Sequence, residues 1–232
     1  MRLLKKLFDP APGAAVSWHS GPIFVRVAPF AVFLALTFCQ SSFGAVPAYW
    51  FYLAKTVMGA WLIWEMRPFV PEMRWALSWE AVAIGVAVFV MWVAIDPFYP
   101  QMKPSAPAWI PAVEFGQGTW VAWFFMVMRV VGMTVVVPPL EEVFYRSFIY
   151  RYLVKPDFLS VPFNVFNWMP FIATSVIFGL EHYQWLAGIL CGLAYQWLVL
   201  RKNRIGDAIT AHALTNLLLG VWVIWRHAWQ FW

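Results

Sequence analysis

Charge is scarce in this sequence. Of its 232 residues only 12% are charged, whereas 62% are hydrophobic and 20% aromatic. Soluble domains carry about twice that share of charge, so the bilayer rather than water is the solvent this chain is written for. One helical bundle uses up such a length and leaves little for a separate soluble domain. Cysteine is nearly absent as well. Cys39 and Cys191 both lie in apolar runs, which argues against a disulfide framework or a Cys-rich metal site. Arg2, Lys5 and Lys6 make a basic start, but Pro10, Pro12 and Gly13 arrive before any apolar stretch, so no secretory signal is readable. There is no internal repeat, no low-complexity segment and no HExxH helix signature of a zincin. The net charge of +5 does not indicate nucleic acid, because the basic residues are scattered at the ends of apolar runs.

What is present is a series of apolar runs near the ~20 residues that cross ~30 Å of hydrocarbon. They cover about 27–46, 48–66, 75–95, 119–137, 168–182, 183–200 and 208–225. An all-α fold follows: a polytopic transmembrane helix bundle with seven or eight membrane helices. Residues 1–26 read as a cytoplasmic tail with a short interfacial turn at Leu3–Phe8, 27–118 as N-terminal membrane helices and a Pro-rich loop, and 119–232 as the functional bundle. Basic clusters at the N-terminus and at 67–74, 146–155 and 201–204 all fall on one side if seven crossings are counted. The loop 96–118, with five prolines and little positive charge, falls opposite. That pattern places the N-terminus in the cytoplasm and makes the chain a multi-pass protein of a cell inner (plasma) membrane, with an endoplasmic reticulum as the alternative. Trp50, Trp61, Trp64, Trp75, Trp79, Trp109, Trp120, Trp225 and Trp229 lie near run ends and suit interfacial belts. Lys55 and Glu80 also lie near run ends and are expected to snorkel, whereas Arg129 sits inside a run and is expected to find a carboxylate in the bundle.

Against this background one stretch is anomalous: Pro138-Pro139-Leu140-Glu141-Glu142-Val143-Phe144-Tyr145-Arg146. Two adjacent carboxylates and an arginine beside an apolar run need compensation, and ionisable groups at membrane depth usually mark function. The prolines predict a helix start, with a helix over about 139–154. On it Glu142 and Arg146 share a face at i,i+4 and can pair, while Glu141 points about 100° away, free to act as a base. Interfacial acids at a helix start explain the pair equally well on this stretch alone. Two further polar positions interrupt apolar helices. His182 closes the run after Phe178, and His212 shares a face with Asn216 at i,i+4, an arrangement also known as interhelical polar glue. Glu181 neighbours His182 but is expected to face elsewhere on the helix, without a role. Together these residues offer a free carboxylate, two imidazoles and an amide, the inventory for water activation and oxyanion stabilisation.

The ordered patterns Glu141-Glu142…Arg146, Phe178…His182 and His212…Asn216 resemble the type II CAAX prenyl endopeptidase family, also called CPBP or Abi intramembrane proteases. The resemblance covers roughly residues 119–220. It implies an intramembrane endopeptidase acting on membrane-associated peptides or proteins, some prenylated or lipid-linked at a C-terminal Cys. Glu141 and His182 would activate water, His212 and Asn216 would stabilise the oxyanion, and Glu142 with Arg146 would support the motif helix. A Zn ion on Glu141, His182 and His212 and a metal-free glutamate mechanism both suit these residues. Two other readings stay open: a non-catalytic immunity or assembly protein of the same family, and a proton-coupled transporter with Glu141, His182, His212 and Arg129 as relay. The implied partners are the bilayer and a membrane-associated peptide substrate, not nucleic acid. One geometric condition attaches to all of this. If 119–137 and 168–182 are simple crossings, Glu141 and His182 end up on opposite faces. A joint site therefore needs a break at Pro138-Pro139 or a bend near Gly179 or Gly188.

Overall fold

The computed structural model describes residues 21–40, 42, 44–102 and 109–232. Most of the expected N-terminal tail, including the turn at Leu3–Phe8, lies outside them, as do residues 103–108 of the Pro-rich loop. The described residues form helices and turns without a strand. The helices are α1 (Phe24–Gln40), α2 (Ala45–Met66), α3 (Trp79–Ile95), the short α4 (Pro111–Phe115), α5 (Trp120–Val154), α6 (Trp168–Leu180), α7 (Trp185–Lys202) and α8 (Gly206–Arg226). Three are long and apolar enough to cross a membrane: Trp79–Phe98, Trp120–Val154 and Gly206–Arg226.

The largest departure from the sequence reading is α5. Pro138 and Pro139 do not start a helix; they sit inside one continuous helix of 35 residues. A proline within a helix loses its N–H bond and presses its ring on the carbonyl four residues back. Here the preceding turn, Gly132–Val136, is widened into a π segment, and the Val137 N–H reaches back to Gly132 O. The extra residue in that turn accommodates the rings, so the axis continues. A second π segment, Val143–Ile149, follows the two glutamates.

One end of the bundle is knitted by charge. Arg26 pairs with Glu72 at 2.7 Å, and Glu72 also accepts from Ser147 and lies 3.9 Å from Arg151. Lys202 pairs with Glu80 at 3.2 Å, and Arg204 with the buried Asp207 at 2.5 Å. Ser78 caps α3 by accepting from Ala81 N at 3.2 Å and donates to Asp207 at 2.5 Å, which is why α3 begins at 79 rather than 75. The opposite end joins 96–102, 183–185 and the C-terminal residues, through Trp185 to Pro100 O at 2.9 Å and Gln184 to Gln230 O at 2.9 Å.

Two lone cations behave differently from expectation. Lys55 does not snorkel: its side chain turns inward, 5% exposed, with Nζ donating to Thr37 Oγ1 at 3.0 Å and lying 4.9 Å from the Tyr52 ring. Arg129 finds no carboxylate among the described residues. Its guanidinium is caged by the rings of Trp109, Tyr52 and Trp232 at 4.7, 5.3 and 5.3 Å. Each desolvated cation–π contact contributes up to about 2 kcal/mol, so three rings offset much of the charge's burial. Trp109 is accordingly buried in this cage rather than in a belt, whereas Trp50, Trp61, Trp64, Trp75, Trp79, Trp120 and Trp225 are exposed.

Candidate active site

α5 supplies the acidic part of the site. Glu142 and Arg146 are completely buried and pair at 3.3 Å through Oε2 and Nε. Arg146 also lies 4.8 Å over the Phe178 ring of α6. The other oxygen of Glu142 receives His212 Nδ1 from α8 at 3.0 Å. Glu142 thus bridges the arginine and a histidine seventy residues away, which the i,i+4 spacing alone did not disclose.

These bonds fix the chemistry of both imidazoles. The carboxylate of Glu142 only accepts, so His212 carries its proton on Nδ1. His182 Nδ1 lies 2.9 Å from Phe178 O, also an acceptor, so the same tautomer holds there. A neutral ring in this tautomer leaves Nε2 a free lone pair. His212 Nε2 stands 3.9 Å from Glu141 Oε2, and that oxygen is buried without a hydrogen-bond partner. The Phe178 ring contacts both imidazoles, with centroids 5.0 Å from His182 and 5.9 Å from His212. Tyr195 stacks on His212 at 5.2 Å and is itself fixed by donating to Thr215 Oγ1 at 2.7 Å.

The short α6 explains how His182 reaches this place. Its 13 residues rise about 20 Å, less than the ~30 Å of a bilayer core, and the chain then turns over 181–184 into α7. The return is tight because glycines face each other: a Cβ on Gly188 would lie 2.8 Å from Gly179 Cα, and one on Gly192 would lie 2.9 Å from Ser175 Cα. The chain therefore bends back beside Gly179 and Gly188, one of the two routes by which Glu141 and His182 can share a site. On α5, Glu141 is six residues from Ser147 in the charged end, about 9 Å of rise.

Asn216 is held by the consequence of the prolines. In the first π segment, Met133 O would accept from residue 138, but Pro138 has no N–H, and the Val137 N–H is already taken by Gly132 O. Asn216 Nδ2 fills the gap, donating to Met133 O at 2.7 Å. One amide hydrogen of Asn216 is left over.

Sequence reasoning missed two neighbours. The apolar run puts Glu181 on a helix, facing away; in the structure α6 ends at Leu180, and Glu181 lies in the turn, exposed. It comes within electrostatic reach of Glu141 and of the Tyr145 hydroxyl. The only warning in the sequence is Gly179, two residues earlier. Tyr195 was the other omission, and a tyrosine in an apolar run is too common to have marked it.

Comparison with known families bears on the same part of the chain. Residues 119–218 match the model of the Rce1-like family, type II CAAX prenyl endopeptidase Rce1-like. No curated protein and no solved structure gives a match. The Rce1-like segment contains all three motifs and ends two residues after Asn216. It begins at the N-cap of α5, Thr119, whose side chain accepts from Ala122 N. Helices α1 to α3 lie outside the match yet pack on the Rce1-like segment: Trp92 of α3 lies edge-on to His182 at 5.4 Å. Phe30 of α1 stacks on Phe144 at 4.4 Å.

Glu141, His182 and His212 are by residue type a candidate ligand set for Zn. Among the described residues no three His, Cys, Asp or Glu side chains form a group that could hold a metal ion. Glu141, His182 and His212 as they stand do not fit Zn.

Proposed function

We propose that the chain is an intramembrane endopeptidase of the CAAX type in which Glu141 is the general base. The observation that carries this reading is the arrangement around His212: Nδ1 bound to Glu142 and Nε2 3.9 Å from a buried, unpartnered oxygen of Glu141. A water between Glu141 and the Nε2 lone pair of His182 is oriented for attack. Its oxygen bonds to the scissile carbonyl carbon while its proton passes to Glu141. To stabilise the oxyanion, His212 must be the imidazolium, since only then does Nε2 carry a proton to donate. Glu142 balances that charge from the other side of the ring, and Asn216 offers its remaining amide hydrogen. Collapse of the tetrahedral species breaks the C–N bond, and the leaving amine takes the proton from Glu141. One water is consumed, and one carboxyl and one amine are released.

The substrate class proposed is a membrane-presented peptide or protein, lipid-linked at a C-terminal Cys. The charged end of the bundle faces the cytoplasm of a cell inner membrane, with residues 119–232 as the catalytic bundle. The test is to co-express Glu141→Gln with membrane-anchored peptides bearing lipidated or unlipidated C-terminal Cys motifs and follow C-terminal trimming by mass spectrometry. Loss of trimming in the folded variant is expected. Trimming that survives Glu141→Gln unchanged overturns Glu141 as the base, and a phenotype that survives it with no trimming in the wild type returns the non-catalytic immunity or assembly reading.

A further inference from the structure

Lys55 and Arg129 are two cations with no ion-pair partner among the described residues. They meet over one ring, 4.9 and 5.3 Å from the centroid of Tyr52. Around them the polar groups are already committed. Thr37 donates to Phe33 O at 2.9 Å and accepts from Lys55, and Tyr52 donates to Arg129 O at 3.2 Å. What remains is donors: two hydrogens on Lys55 Nζ and the guanidinium N–H groups of Arg129, which form no hydrogen bond within the described residues. Aromatic faces attract a cation but accept no more than weak N–H contacts, so this cluster lacks an anion with several acceptor oxygens.

The position says where such an anion comes from. Arg129 precedes Ser147, at the charged end, by eighteen residues of α5, about 27 Å of helix rise. That is close to the ~30 Å hydrocarbon thickness, so the cluster lies at the far interface, where phosphates of the opposite leaflet sit. Exposed apolar side chains, Phe38, Trp50 and Trp123, lie on the same three helices and suit acyl chains. We propose that α1, α2 and α5 form a binding site for the phosphodiester of an anionic phospholipid, one whose headgroup carries no amine. Arg129 grips the phosphate from the half-buried rim and Lys55 supplies charge beneath it. The paired cations exclude zwitterionic headgroups, whose ammonium would be repelled.

Native mass spectrometry of the full chain in neutral detergent, with phosphatidylglycerol, phosphatidylcholine or inorganic phosphate added, tests this. The expected result is preferential retention of phosphatidylglycerol, reduced about fivefold by Arg129→Gln and by Lys55→Met, with phosphatidylcholine unaffected. Thermal unfolding should follow suit: phosphatidylglycerol raises the melting temperature of the wild-type chain, and the rise shrinks in both variants. Should Lys55→Met fail to fold, Arg129→Gln decides alone, because its side chain is at the rim. Equal retention of both lipids, or variants that retain phosphatidylglycerol like the wild type, overturns the proposal. One-for-one displacement by inorganic phosphate shows a free-phosphate site and overturns the lipid assignment.

Discussion

At the scale of single residues, the two adjacent glutamates separate by what each touches. Glu142 is completely buried between Arg146 and His212, whereas the side chain of Glu141 is 14% exposed and its inner oxygen is unpartnered. Removing one member of a buried pair leaves the other charge uncompensated, at a cost of about 3–5 kcal/mol. Glu142→Gln should therefore lower the unfolding temperature strongly and abolish cleavage as a consequence. Glu141→Gln leaves the Glu142–Arg146 pair intact and gives up only the longer 3.9 Å approach to His212, so it should destabilise far less than Glu142→Gln. Its cleavage rate should fall by about 10²–10⁴-fold, the usual contribution of a general base. Thermal unfolding in detergent beside a cleavage assay separates the two roles. Equal destabilisation by both substitutions would mean that Glu141 is a structural acid.

At the scale of elements, the π segments of α5 and the α6–α7 hairpin place the site, and each makes a quantitative expectation. Met133 O depends on Asn216 because Pro138 cannot donate. Asn216→Ala should cost about 1–3 kcal/mol by orphaning that carbonyl. In a Pro138→Ala background the new N–H can reach Met133 O, so the same substitution should cost measurably less. A double-mutant cycle of unfolding free energies reads the coupling directly, and strict additivity would contradict the dependence. Gly188→Leu drives a side chain into Gly179, where even a Cβ has only 2.8 Å. It should separate α6 from α7 and displace His182, lowering cleavage and stability together. The same elements show what the sequence disclosed. Spacing was enough to pair Glu142 with Arg146 and to set Asn216 beside His212, because i,i+4 neighbours follow from helix geometry alone. It did not disclose that α5 runs through two prolines, since the relief comes from a π turn that no residue type announces. Nor did it disclose the bridge from Glu142 to His212, or the ring cage of Arg129, because both are long-range contacts between helices. A bend near Gly179 or Gly188 is legible as one option, but not that α6 is too short to cross.

At the scale of the whole molecule, the charged end gathers Arg26, Glu72, Glu80, Arg151, Lys202, Arg204 and Asp207, joining segments that the sequence spreads over nearly two hundred residues. Positive charge flanking spans is retained on the cytoplasmic side. The orientation can be tested without knowing the total number of crossings, because α5 alone separates the two ends. Its 35 residues rise about 52 Å, well beyond the ~30 Å of hydrocarbon, so residues 117 and 155 must emerge on opposite faces. Both positions are exposed, Gln117 in the turn before α5 and Lys155 just after it. In a Cys39→Ser background, with Cys191 buried, Lys155→Cys should react with a membrane-impermeant maleimide only from the cytoplasmic side. Gln117→Cys should react only from the other. Labelling of both positions from one side would mean that α5 does not cross, and Glu141 would then lie outside the bilayer altogether. Reversed labelling would keep the span but turn the charged end outward, moving the site's nearer entrance away from the face on which the proposed lipidated C-terminus would be presented.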